Sequence, residues 1–164
     1  MAISRRSLIL AGVPAFLALA VTSRNLSHAA TGGKFQVTHT PEEWQKMLTP
    51  EQYRVLREAG TERPFTSPLL DEKRTGTFTC AGCDLESFSS ANKFDSGTGW
   101  PSFWAPLKDG GVEQSAGGSR MFGIEVHCRR CGGHFGHVFD DGPKPTGLRY
   151  CINGVALKFK PAAA

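Results

Sequence analysis

The chain has 164 residues, 40% of them apolar and 21% charged, ordinary values for a soluble globular protein with room for one domain and not two comfortable ones. Three of its 19 basic residues (Arg5, Arg6, Arg24) and none of its 15 acids fall in the first thirty positions, so the remainder carries 16 bases against 15 acids. That near-neutral balance excludes a broad nucleic-acid-binding face, which needs a concentrated positive surface, while 19 glycines and 10 prolines point to short elements joined by turns, more β than α.

Residues 1–30 are read as a targeting segment and set apart from the domain at 31–164. Arg5 and Arg6 precede an apolar run from Leu8 to Val21, and Ser27-His28-Ala29 places small residues where a signal peptidase reads them. The run falls short of the roughly 20 apolar residues of a membrane span. "SRRSLIL" resembles a twin-arginine export signal, so a periplasmic protein with no stable membrane anchor after cleavage is expected.

Two short helices follow. "TPEEWQKML" offers Thr40 as N-cap, Pro41 at the first helical position and acids in the first turn. "TPEQYRVLREAG" repeats the device with Thr49 and Pro50 and ends on Gly60 as C-cap. Trp44, Met47 and Leu48 form one apolar stripe, continued by Tyr53, Leu56 and Arg57. Pro64 and Pro68 keep residues 62–70 extended. Strand-like patterns then occupy 75–79, 121–127, 135–139, 148–152 and 155–159. Asn153-Gly154 separates the last two, which predicts a hairpin with Cys151 near the end of its first strand.

Four of the five cysteines come as CxxC pairs, Cys80/Cys83 and Cys128/Cys131. Two residues between cysteines let both sulfurs face one point from a tight knuckle, and two knuckles supply the tetrahedral set of a structural Zn²⁺. Gly132 and Gly133 allow the sharp turn after the second pair. Disulfides are the rival, since an exported protein meets an oxidising compartment. The odd cysteine count and the loading of metal before folded export favour zinc, one ion per chain.

Cys151 stands alone, by default a small buried hydrophobe. Its neighbours argue otherwise. Arg149 lies two residues before it, on the same strand face, where a guanidinium favours the reactive thiolate. Asn153 lies two after it, with an amide that can hydrogen-bond a substrate or a histidine. His134 and His137, in "GGHFGHVF", can place an imidazole in a cleft as proton donor. In "FDSGTGWPSFW", Gly97 and Gly99 make a flexible backbone before Trp100, whose indole suits a small apolar group such as an S-methyl.

CAGC, FDSGTGWPSF and CRRCGGHFGHVFDDGPKPTGLRYCIN, in that order, resemble the B-type methionine sulfoxide reductases over residues 40–161. The resemblance implies a mainly β fold of two antiparallel sheets with short N-terminal helices and a four-cysteine zinc site away from the chemistry. It implies reduction of the R-epimer of methionine sulfoxide in oxidised peptides and proteins. Carried over, Cys151 is the nucleophile, His134 and His137 bind and protonate the sulfoxide oxygen, and Trp100 is the wall for the methyl group. Arg149 and Asn153 support the site, and Phe139 and Asp141 shape it. Thr98 departs from the pattern: many members carry there a cysteine that resolves the oxidised nucleophile, so an external small thiol or thioredoxin-like donor is expected instead. Two other classes remain, an exported Cys-His hydrolase or transpeptidase, and a zinc-ribbon binding module.

Overall fold

The computed structural model describes residues 35–119, 121 and 123–163; the expected leader and its expected cleavage site lie outside them. Two helices come first, α1 (Pro41–Met47) and α2 (Pro50–Glu58). Each begins with a threonine whose hydroxyl accepts from the third helical N–H while the third side chain, Glu43 or Gln52, accepts from the threonine N–H. The end of α2 differs from expectation. The left-handed residue is Ala59, at φ 52°, and Gly60 follows it, its N–H donating to the Arg54 carbonyl at 3.0 Å. Gly60 is needed for space, because a Cβ there would press on the Arg54 backbone and side chain. Met47 is exposed, whereas Trp44, Leu48, Val55 and Leu56 carry the packing face.

Among the described residues nine strands follow: β1 (Gly76–Cys80), β2 (Glu86–Ser89), β3 (Lys93–Phe94), β4 (Ser102–Phe103), β5 (Val112–Gln114), β6 (Ile124–Cys128), β7 (His134–Phe139), β8 (Arg149–Ile152) and β9 (Leu157–Pro161). They form two sheets, in orders β2-β1-β9 and β3-β4-β8-β7-β6-β5, with every pairing antiparallel. The core draws on both sheets and is rich in aromatic rings: Phe78, Phe88, Phe103 and Phe135 are all fully buried, and Phe88 stacks on Phe103 at 4.4 Å between centroids.

The hairpin expected at Asn153-Gly154 does not form. β8 pairs with β4 and β7, while β9 pairs with β1 in the other sheet. The Gly154–Ala156 segment is a single 3₁₀ turn that carries the chain between sheets. Asn-Gly permits a tight change of direction, but here the apolar partners of β9 lie on β1, as in the Phe78–Phe159 ring contact at 5.0 Å. Cys151 does sit one residue from the end of its strand.

Candidate active site

β8 is an inner strand of the larger sheet, and its register places Cys151 directly opposite Ser102 on β4 and His137 on β7. Directly opposed residues share a face, with Cβ atoms about 5 Å apart. The next pair on that face sets Arg149 against Phe139. The Arg149 guanidinium lies 4.3 Å over the Phe139 ring and forms a two-pronged pair with Asp141, both bonds 2.8 Å. Arg149 is therefore held beside Cys151 by a ring beneath it and a carboxylate behind it.

His134 and His137 are three residues apart, so a regular strand would put them on opposite faces. A bulge changes this. Val126 pairs with Gly136 and His127 with His134, leaving Phe135 as an extra residue on β7. The bulge restores both imidazoles to one side, ring centroids 5.4 Å apart, and turns Phe135 and Val138 together into the core. Gly136, at φ 154°, is the residue that accommodates the bend. His134 is buried, its Nδ1 bonded to the Glu125 carboxylate at 2.8 Å, and its Nε2 is a buried atom with no hydrogen-bond partner among the described residues. Glu125 is held below the ordinary carboxylate range: burial pushes it up, but hydrogen bonds from Ser115 and His134 outweigh that.

A small cleft of about 170 Å³ is lined by Thr61, Trp100, Gly136, His137, Phe139, Cys151 and Asn153. His134, Arg149 and Asp141 do not line it: His134 rests against His137, and Asp141 holds Arg149. Trp100 is oriented by its Nε1–H, which donates to the Glu62 carbonyl at 3.1 Å. The loop before it is braced rather than flexible: Phe65 donates its N–H to the Gly99 carbonyl at 2.7 Å, and a Cβ on Gly99 would run into Phe65 and Pro64.

Asn153 also differs from expectation. Its amide does not point freely into the cleft; Nδ2 donates to the Phe135 carbonyl at 2.9 Å and Oδ1 accepts from the Glu62 N–H at 2.9 Å. Cys151 is half-buried, and burial pushes its thiol up from the ordinary range. Thr98, at 3.9 Å from the sulfur, and Arg149 oppose that rise without cancelling it. The arginine alone thus does not make a resting thiolate, contrary to expectation. Burial, and then the neighbouring His134, hold His137 below the ordinary imidazole range. Thr98 is itself aligned by hydroxyls, bonding Ser96 at 2.8 Å, which bonds Ser102 at 2.7 Å. Glu125, Glu62, Thr61 and this hydroxyl chain escape a reading of the sequence. Only Glu125 leaves a signal there, an acid inside a β-patterned run.

The paired cysteines gather away from the cleft lining. Cys80 and Cys128 end β1 and β6, and the four sulfurs all lie within 4.8 Å of one another. The closest approaches, 3.4 Å for Cys83–Cys128 and 3.7 Å for Cys80–Cys131, are too long for disulfides. They match the roughly 3.8 Å edge of a tetrahedron built on Zn–S bonds of about 2.3 Å. The knuckles are alike: the residue after each pair, Asp84 at φ 59° and Gly132 at φ 68°, returns its N–H to the carbonyl of the first cysteine. The set could hold one metal ion.

Four cysteines converging on one point, and a fifth in a cleft beside an imidazole and an indole, define a cysteine-based oxidoreductase on a β scaffold. Residues 48–161 match the SelR domain family. The chain is 53% identical over 127 residues to a peptide methionine sulfoxide reductase MsrB of Leptospira interrogans, spanning 77% of this chain and 97% of that one. It is 56% identical over 127 residues to the MsrB of Pseudomonas putida strain W619, spanning 77% and 96%, and 56% identical over 125 residues to that of Methanosarcina barkeri, spanning 76% and 88%. The chain belongs to the B-type peptide methionine sulfoxide reductase family.

Proposed function

We propose that the protein reduces the R-epimer of methionine sulfoxide in peptides and proteins, with Cys151 as nucleophile. The observation that carries this reading is the cross-strand pair of Cys151 and His137 in a cleft that also holds the Trp100 indole. The substrate methyl group packs on Trp100, and the sulfoxide oxygen faces the imidazoles. Cys151 rests as a thiol because burial outweighs Arg149. His137, kept neutral by burial, takes that proton as sulfur attacks sulfur and delivers it to the oxygen, which is otherwise a poor leaving group. His134, its Nδ1 bonded to Glu125, rests against His137 from behind the cleft and sets that ring. Methionine leaves and the oxygen ends on Cys151 as sulfenic acid, so one oxygen atom passes from substrate to thiol. Arg149 stabilises the thiolate as it forms, and Phe139 and Asp141 hold Arg149. Asn153 ties the nucleophile's strand to its neighbour.

Thr98 offers no thiol to Cys151, and the other four cysteines are reserved for one structural Zn²⁺, which supplies a cross-link and no redox chemistry. An external thiol therefore attacks the sulfenic acid, releasing water and leaving a mixed disulfide. A second thiol, of the same small donor or of a thioredoxin-like protein, then frees Cys151. We place this activity in the periplasm on the strength of the twin-arginine-like leader; replacing Arg5 and Arg6 with Lys should strand unprocessed precursor in the cytoplasm, and undisturbed export would refute it.

The deciding experiment is turnover with a peptide carrying each sulfoxide epimer separately. Only the R-epimer should be consumed, Cys151→Ser should be inactive, and one equivalent of substrate without reductant should leave Cys151 reactive to a dimedone-type trap. Equal use of both epimers or an active Cys151→Ser protein would overturn the reading. A loss of two hydrogens after that single turnover would replace the external-thiol step with an internal disulfide.

A further inference from the structure

Glu62 is a buried acid, 4% exposed, on the irregular segment after α2. Among the described residues it has no ion-pair partner; its bonds run instead to three parts of the cleft. Its carboxylate accepts the N–H groups of Gly154 and, at 3.1 Å, of Val155, the first two residues of the turn after Cys151-Ile152-Asn153. Its own N–H donates to the Asn153 Oδ1 at 2.9 Å, and its carbonyl accepts the Trp100 indole N–H at 3.1 Å. The preceding residue, Thr61, lines the cleft directly.

We propose that Glu62 is a positioning residue for the reductase reaction, through which the turn behind Cys151, the Asn153 amide and the Trp100 wall are set as one body. The carboxylate is required by count. Two N–H groups point at two oxygens, and a carboxylate accepts both through charge-assisted bonds. A glutamine would accept one and turn its NH₂ against the other. Burial pushes the Glu62 carboxyl up, and the two backbone donors oppose this. The shift of an ångström in a reacting group costs a large factor in rate, and three cleft elements depend on this one side chain and its peptide units. The inference rests on the reading of Cys151 and Trp100 given above.

The test compares wild type, Glu62→Gln and Glu62→Asp, each assayed ten degrees below its own unfolding midpoint, with a peptide R-sulfoxide under single turnover. Glu62→Gln should form Cys151 sulfenic acid at least about tenfold more slowly and show a raised half-saturating peptide concentration. Glu62→Asp, which keeps two oxygens on a shorter arm, should fall between. Alkylation of Cys151 by iodoacetamide, which needs no Trp100 wall, should change less than about twofold. A Glu62→Gln protein with wild-type rate and half-saturation overturns the proposal. So does a parallel fall in alkylation and sulfoxide reduction, or the failure of both variants to fold, since each marks a general structural role. If wild type reduces no sulfoxide, or Cys151→Ser stays active, the underlying reading fails and not this one.

Discussion

At Cys151 two opposed influences meet, and their sum decides how the thiol behaves at rest. Burial raises the thiol, while the Thr98 hydroxyl and the Arg149 charge lower it. Removing Arg149 takes away one of the two restraints and leaves burial intact, so the thiol must rise further. The rate of Cys151 alkylation against pH should therefore reach half-maximum above the ordinary thiol range near 8.5 in wild type, and higher still in Arg149→Met. At neutral pH the variant should be alkylated several-fold more slowly. An unchanged midpoint in the variant would show that Phe139 and Asp141 hold the guanidinium too far from the sulfur to matter. The same residue shows what a sequence conveys and what it hides. The i, i+2 spacing of Arg149 and Cys151 placed both on one face correctly. Their balance against burial depends on residues from β4 and β7, which spacing along β8 does not contain. Asn153 is similar: its proximity was legible, but its amide is occupied by Phe135 and Glu62, one of them 91 positions away.

Among the elements, β7 repays attention because a single bulge does two jobs. It brings His134 and His137 to one side and sends Phe135 and Val138 to the other. Gly136 enables this with a backbone conformation that side-chain-bearing residues rarely adopt, and a Cβ there would meet the Cys151 carbonyl across the ladder. Gly136→Ala should thus destabilise the protein by roughly 3 kcal/mol or more, measured by denaturant unfolding. It should also lose reductase activity beyond what its folded fraction explains. Wild-type activity in a destabilised but folded variant would mean that the imidazoles tolerate a shifted ladder. The helices were readable to within a residue, because their capping boxes are local. The strands 75–79, 135–139 and 148–152 were readable because each is a five-residue run holding aromatic or β-branched side chains. β2, β3, β4 and β5 were not, since two to four residues carry too little pattern to stand out from a loop. The Asn153-Gly154 turn was misread because a dipeptide reports that the chain turns and not which strand awaits it.

For the molecule as a whole, the four-cysteine cluster joins the two sheets, since Cys80 closes β1 in one and Cys128 closes β6 in the other. Stripping a bound Zn²⁺ with a strong chelator should lower the thermal midpoint by at least about 10 °C, followed by circular dichroism, and re-adding Zn²⁺ should restore it. An unchanged midpoint would remove the metal from the fold's support. Another feature of the topology reaches further than stability. β9 completes the smaller sheet beside β1, and β8, with Cys151, stands between β4 and β7 in the larger; both strands come from the C-terminal end of the chain. A polypeptide cut short near residue 150 by a premature stop codon, a stalled ribosome or a protease keeps the residues of both helices and both knuckles, yet lacks Cys151, the proposed oxygen acceptor. On the proposed mechanism, incomplete synthesis of this protein therefore yields a chain that cannot begin the reaction, whatever becomes of its four remaining cysteines.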